Sequence, residues 1–299
     1  MKQIEDYRKA GEISIEAKEY AKQIIKPGMS LLDIAEKIEE KIKKLGGELA
    51  FPINLSINEV AAHYTPGSDD ESEARGLLKV DIGVHVNGAI ADTAFSLDLT
   101  KNKEHKKLIE SSEKAVEKAL QVIKKNITLS EIGSVIQDAI TEAGFSPIRN
   151  LSGHKLDIYS VHAGLTVPSY KNNNPTELKE GAYAIEPFST TGQGIVYDGG
   201  KSSIYRLESD GTIRDPTSRK ILKYIKDNYS TLPFCERWLT KEFGTRTRTA
   251  LLFLEKAGIL HHYAQLIEKS HAPVSQAEHT VLIYEDKTEI TTKGKNETT

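Results

Sequence analysis

Apolar positions along the chain recur at two spacings, one helical and one of period two. In residues 31–44, Leu31, Ile34, Ala35, Ile38 and Ile42 stand at helical spacing among charged residues, which predicts an amphipathic helix with one buried face. Ser30 precedes it as a cap, Asp33 follows three positions on, and Gly46 closes it. Residues 127–144 repeat the arrangement at a constant offset: Thr128 answers Ser30, Glu131 answers Asp33, Ile132, Ile136 and Ile140 answer Ile34, Ile38 and Ile42, and Gly144 answers Gly46. The preceding helices correspond as well, Ala17, Ala21 and Ile25 with Ala115, Ala119 and Ile123. Asn-Leu-Ser recurs at 54–56 and 150–152, and His63 lies near the counterpart of His162. The pattern predicts two related α+β halves, about 1–100 and 101–200 plus a C-terminal strand. Pseudo-symmetric halves favour a site shared between them.

The period-two regime is clearest in V-D-I-G-V-H-V-N-G-A-I-A-D-T-A-F. Asn87-Gly88 between two alternating runs predicts a two-residue hairpin turn, which fixes the register. Val86 then pairs with Ala89, Asp81 with Ala94, and Asp92 with Gly83. Both aspartates project from one sheet face as diagonal neighbours, roughly 7–8 Å apart at the backbone. Gly83, opposite Asp92, is expected to leave that face open. Two carboxylates so placed repel unless a proton or a cation lies between them, so the hairpin points to a metal site.

Residues 206–272 break the repeat. They predict helices around 216–227, 233–242 and 246–257, then short extended pieces around Gly258-Ile259-Leu260. Basic residues outnumber acidic ones there, which suggests an inserted helical, winged-helix-like subdomain with a basic face, inside a single domain spanning 1–299. Strand pattern returns in A-E-H-T-V-L-I-Y-E. The final polar residues are expected to fray.

Composition narrows the chemistry. The 299 residues carry a net charge of −3, so nothing global points to nucleic acid or an anionic membrane. The N-terminus is charged where a signal peptide needs an apolar core, and no apolar run approaches the ~18 residues of a membrane span. A cytoplasmic protein is expected. Cys235 is the only cysteine, which excludes a disulfide framework and a thiolate metal cluster. Any metal must be held by His, Asp and Glu. Besides the two aspartates, the candidates are His154 and His162 in G-H-K-L-D-I-Y-S-V-H-A-G, Glu186 before Pro187 in A-I-E-P-F, and Glu278, which opens the last strand. A carboxylate embedded in an aliphatic strand is costly unless paired or metal-bound. Residue types alone leave Mg, Ca, Mn, Zn, Co and Fe open.

Together these segments resemble the type II methionine aminopeptidases in their short archaeal form. The likeness rests on F-P-I-N-L-S-I-N-E-V-A-A-H-Y-T-P, V-D-I-G-V-H-V-N-G-A-I-A-D-T-A, G-H, V-H-A-G, A-I-E-P-F-S-T-T-G-Q-G, A-E-H-T and T-L-P-F-C-E-R-W-L. The resemblance implies the pita-bread fold, two pseudo-symmetric halves around a curved antiparallel sheet. It implies two divalent ions (Co, Mn, Fe or Zn). Asp81 would chelate one, Asp92 and Glu278 would bridge both, and His154 and Glu186 would complete the other. It implies Glu186 as proton acceptor, and His63 and His162 as catalytic, substrate-binding residues that do not ligate. Phe51, Val161 and Tyr263 would wall a methionine pocket, with Ile204 nearby. A histidine stands at the Ile204 position in the eukaryotic relatives, and their long charged N-terminal extension is missing here.

The implied activity is removal of the initiator methionine from nascent proteins and peptides by a monomer. Weak ribosome association through the basic insertion is carried as a hypothesis, with no membrane or specific nucleic-acid partner. Two alternatives are a proline-specific aminopeptidase or dipeptidase of the same fold, and a non-catalytic ribosome- or nucleic-acid-binding relative. The first usually needs an extra N-terminal domain; the second has usually lost metal ligands.

Overall fold

Each half opens with a helix pair whose ends are set by the residues of the repeat. In the computed structural model, which describes residues 3–294, α1 spans Ile4–Ile24, α2 Leu31–Lys44, α3 Lys106–Val122 and α4 Leu129–Glu142. Ile25 and Ile123 leave α1 and α3 in matching extended conformations, their N–H groups bonded to Ala21 and Ala119. Ser30 and Thr128 cap α2 and α4 by accepting from the backbone N–H of Asp33 and Glu131. Only the second copy closes a full capping box, because the Glu131 side chain reaches back to the cap whereas Asp33 makes no such bond among the described residues. Gly46 and Gly144 follow with φ of 84° and 85°, the left-handed conformation that glycine adopts without cost.

The helices pack on antiparallel strands that also correspond. In the first half Asn54–Ile57 pairs with Leu77–Val86, which pairs with Ala89–Asp98. In the second half Ser152–Leu156 pairs with Gly181–Ile185, which pairs with His279–Tyr284. The two half-sheets meet at an Ala94–Glu278 bridge. Thr280 Oγ1 there accepts from the Asp92 N–H and donates to the Asp92 carbonyl, both at 2.8 Å. Separate aliphatic clusters, one around Ile34, Ile38 and Val80 and one around Ile132, Ile136 and Val281, fill the space between helices and sheet. The seam between the halves therefore runs past Asp92 and Glu278.

The third region is built on a ribbon rather than on a loop. Strand Val196–Leu207 pairs with Leu260–Glu268, and α5 (Pro216–Asn228), α6 (Glu236–Phe243) and α7 (Thr247–Lys256) lie between them. The expected short extended pieces near residue 260 are thus a nine-residue strand, and residue 206 lies inside a strand rather than at a boundary. Alternation is broken in this ribbon by register shifts between Asp198 and Tyr205, which hides it from a period-two reading. Ile221, Ile225, Phe234, Leu239 and Leu254 form a core of their own. Arg237, fully buried, ties this region to the first half: Nη1 donates to the Pro66 carbonyl (2.8 Å) and Thr65 Oγ1 (3.2 Å), and the guanidinium pairs with Glu39. A further strand, Lys287–Ile290, pairs with His279–Tyr284, so the late strand is not the last. The residues expected to fray include 295–299, which lie outside the described residues.

Candidate metal centre

The Asn87-Gly88 turn sets the hairpin register as its sequence predicts. Both residues have positive φ, 49° and 85°, and Val86 pairs with Ala89, Asp81 with Ala94 and Gly83 with Asp92. The face above Gly83 is not open, however. A Cβ on Gly83 would lie 2.3 Å from the Phe51 ring, so the missing side chain admits an aromatic wall instead of empty space. Gly83 thereby seats Phe51 beside the two aspartates.

The seam and the second half bring the remaining candidates to the same place. One atom each from Asp92, His154 and Glu278 lies within 4.8 Å of the others, and all three residues are buried. His154 Nε2 is 3.3 Å from Glu186 Oε1 and 3.9 Å from Asp92 Oδ2. Asp81, Glu186, His63 and His162 line the same cavity, of about 290 Å³, together with Phe51, Val161, Ile204 and Tyr263. Every candidate residue taken from the sequence is therefore at one site. Glu186 follows strand Gly181–Ile185 directly and precedes Pro187, where the ladder stops.

The electrostatics of this cluster call for cations. Burial pushes the Asp81 carboxyl up to about 7, helped by the Glu186 charge, and burial pushes Glu186 up to about 8. Asp92 and Glu278 are driven well above the carboxylate range by burial and then by their acidic neighbours. Asp81 Oδ1, Asp92 Oδ1 and Glu278 Oε2 are buried and receive no hydrogen bond among the described residues. Four clustered carboxyls, three of them with an orphaned oxygen, are unfavourable as they stand and complete once hard or borderline divalent ions supply the missing positive charge. Burial also holds the His154 pKa down, to about 4, so its imidazole is neutral at pH 7 as a metal ligand must be. The donor set fits a divalent metal centre.

Two histidines flank the carboxylates. His63 has φ of 63°, a left-handed conformation uncommon outside glycine and associated with strained functional sites. Its Nδ1 lies 3.3 Å from the Ala264 carbonyl, which can only accept, so Nδ1 carries the proton and Nε2 is free to accept. Burial depresses its pKa to about 4, so it stays neutral. His162 is exposed at the mouth, its ring centroid 4.4 Å from that of His154.

Several contributors were absent from the sequence reading. Gln276 Nε2 approaches Asp81 Oδ2 at 3.5 Å, and Thr280 fixes the Asp92 backbone. With Glu278 they stand at every second position, but Ser275 and His279 are polar too, so no polar alternation marks them in the sequence. Leu266 and Pro233 add apolar wall that no local pattern singles out.

Residues 5–215 match the model of metallopeptidase family M24. The chain is 43% identical to a methionine aminopeptidase of Methanocaldococcus jannaschii, over 97% of this chain and all of that one. Among solved structures, a thermophilic Arx1 superposes with a TM-score of 0.83 at 17% identity, covering 96% of this chain and 89% of the other. A methionine aminopeptidase of Thermotoga maritima superposes with a TM-score of 0.69 at 21% identity, covering 98% and 97%. These two likenesses speak to the fold alone.

Proposed function

On the premise that this chain belongs to metallopeptidase family M24 and has its pita-bread fold, we propose that it removes N-terminal methionine from peptides and nascent proteins. The observation that carries this reading is the buried Asp92–His154–Glu278 cluster at the base of a small apolar-walled cavity. Asp81, Asp92, His154, Glu186 and Glu278 would hold two divalent ions, with the central Asp92 and Glu278 shared. Such ions would polarise the scissile carbonyl and supply hydroxide near neutral pH.

The chain's own groups do the rest. Glu186 accepts the proton of the attacking water and passes it to the leaving amine, a role suited to a buried carboxyl whose proton affinity is raised. His162 donates to the oxyanion as the carbonyl becomes tetrahedral. His63, with Nδ1 committed to Ala264, presents Nε2 to the scissile amide N–H. Phe51, Val161, Ile204 and Tyr263 enclose the first side chain, and Ile204 keeps that pocket apolar where the eukaryotic relatives carry a histidine. The small cavity admits a chain end, not a folded segment. His162→Ala is expected to lower kcat roughly 10²-fold or more with metal content unchanged, checked by steady-state kinetics and metal analysis. Loss of metal would show that His162 holds the centre together instead.

The substrate panel Met-Ala-Ser, Leu-Ala-Ser and Ala-Pro-Ser tests the reading. Methionine release from the first, absent after chelation and restored by a divalent ion, is the expected result. Preference for the proline peptide would favour the proline-specific alternative. No release with any of Co²⁺, Mn²⁺, Fe²⁺ or Zn²⁺ would leave a non-catalytic role. Monomeric state and cytoplasmic location belong to the same reading, and no helix among the described residues is long and apolar enough to cross a membrane. Weak ribosome contact through the basic insertion is the remaining partner reading. Ribosome co-sedimentation without salt-sensitive binding would reject it.

A further inference from the structure

The ribbon that carries the insertion also extends the cavity wall outward. Tyr205 stacks on His262 at 4.1 Å, and both Tyr205 and Leu207 pack on the insertion's core. Side chains alternate along a strand, so Ile204 and Arg206 face the other way, and Ile204 lines the catalytic cavity. On the paired strand Leu260 and His262 face the core, which leaves His261 and Tyr263 on the cavity side. Their rings meet edge-to-face at 4.9 Å, and Tyr263 meets His63 at 5.1 Å. A row of rings thus leads from His63 through Tyr263 to His261, and Arg206 pairs directly with His261 in the ladder.

Arg206 is the next residue after Ile204 on the same strand face and lies just outside the residues that line the cavity. The Tyr263 hydroxyl and the His162 ring both lie within electrostatic reach of its guanidinium. It also pairs with Glu208 at 2.6 Å, and the two side chains are 39% and 46% exposed. An ion pair this exposed is weak and exchanges its partner readily. From Ile204 to Arg206 is two strand residues, roughly 6.6 Å, which equals two residues of an extended peptide. A peptide that leaves the cavity extended along this strand, with its first side chain on Ile204, brings its third residue abreast of Arg206.

Resting on the aminopeptidase reading above, we infer that Arg206 selects substrates by the charge of their third residue, favouring Asp or Glu and disfavouring Lys or Arg. The acidic side chain takes the place of Glu208 on the guanidinium, whereas a basic one meets like charge. For a partly exposed site the effect is about three- to tenfold in each direction, and it weakens as salt screens it.

The test compares kcat/KM for Met-Ala-Glu-Ser, Met-Ala-Gln-Ser and Met-Ala-Lys-Ser amides with the metal-loaded enzyme. The expected Glu:Lys ratio is about tenfold or more at low salt, falling towards unity at high salt. Arg206→Gln should bring it near unity, Arg206→Glu should invert it, Arg206→Lys should retain it, and Glu208→Gln should widen it. A wild-type ratio near unity, or one unchanged in Arg206→Gln, overturns this inference while leaving the aminopeptidase reading intact. No methionine release from any of the three peptides overturns both.

Discussion

Asp92→Asn is expected to abolish methionine release, by about 10³-fold or more, while making the metal-free protein more stable. The two effects share one cause. Asp92 sits in the middle of the cluster, within reach of His154 and Glu278, and bonded through its backbone to Thr280. On the proposed reading, removing its charge removes a ligand shared by two ions. The same charge is a liability without metal, because burial and then the Asp81 and Glu186 charges drive the Asp92 pKa upward. An isosteric amide relieves that repulsion, a gain of about 1–3 kcal/mol at pH 8. Urea unfolding in chelator checks the second half of the expectation. A destabilised metal-free Asp92→Asn would mean that Asp92 holds the seam together rather than holding a cation.

The second large effect is a pH dependence that exists only without metal. Asp81 and Glu186 have folded-state pKa values raised to about 7 and about 8, far above the unfolded carboxylate range. Between pH 4 and 8 the folded chain therefore holds protons that the unfolded chain has lost. Through these carboxyls stability falls as pH rises, and Asp92 and Glu278, also raised, add to the fall. His63 and His154, held down to about 4, contribute with the opposite sign until the unfolded imidazoles have lost their protons near pH 6.5, so the metal-free protein should lose a few kcal/mol, in order-of-magnitude terms, from about pH 6.5 to about pH 8. Saturating divalent metal should flatten the profile, because the ions replace the protons. Thermal unfolding across that range, with and without chelator, reads the difference. A metal-free profile that is flat or rises between about pH 6.5 and about pH 8 would contradict the description of the cluster.

The hairpin and the helix caps were legible because local chemistry decides them. Asn87-Gly88 leaves one turn type open, and its register places Asp81 and Asp92 on one face without tertiary information. The repeat was legible for a similar reason, since caps, glycines and isoleucines at fixed spacing report a helix pair twice over. Gathering His154, Glu186 and Glu278 around the aspartates needed the resemblance, because the seam joining them is made of long-range pairs such as Ala94–Glu278. What stayed hidden depended on three-dimensional fit. Gly83 read as open space, yet it is filled by Phe51, a residue from a different segment. The ribbon to the insertion was hidden by its bulges, and Arg206 was passed over because nothing local distinguishes it from other surface arginines. Its position opposite His261 and two residues beyond Ile204 is what gives it meaning.

The central claim is that Asp81, Asp92, His154, Glu186 and Glu278 together hold two divalent ions. Anomalous diffraction from Mn²⁺-loaded crystals tests it most directly. Two peaks per chain are expected inside the carboxylate cluster, both contacting Asp92 and Glu278, with Asp81 on one and His154 with Glu186 on the other. A single peak that leaves Asp81 uncontacted, or metal bound anywhere else with the cluster bare, would contradict it.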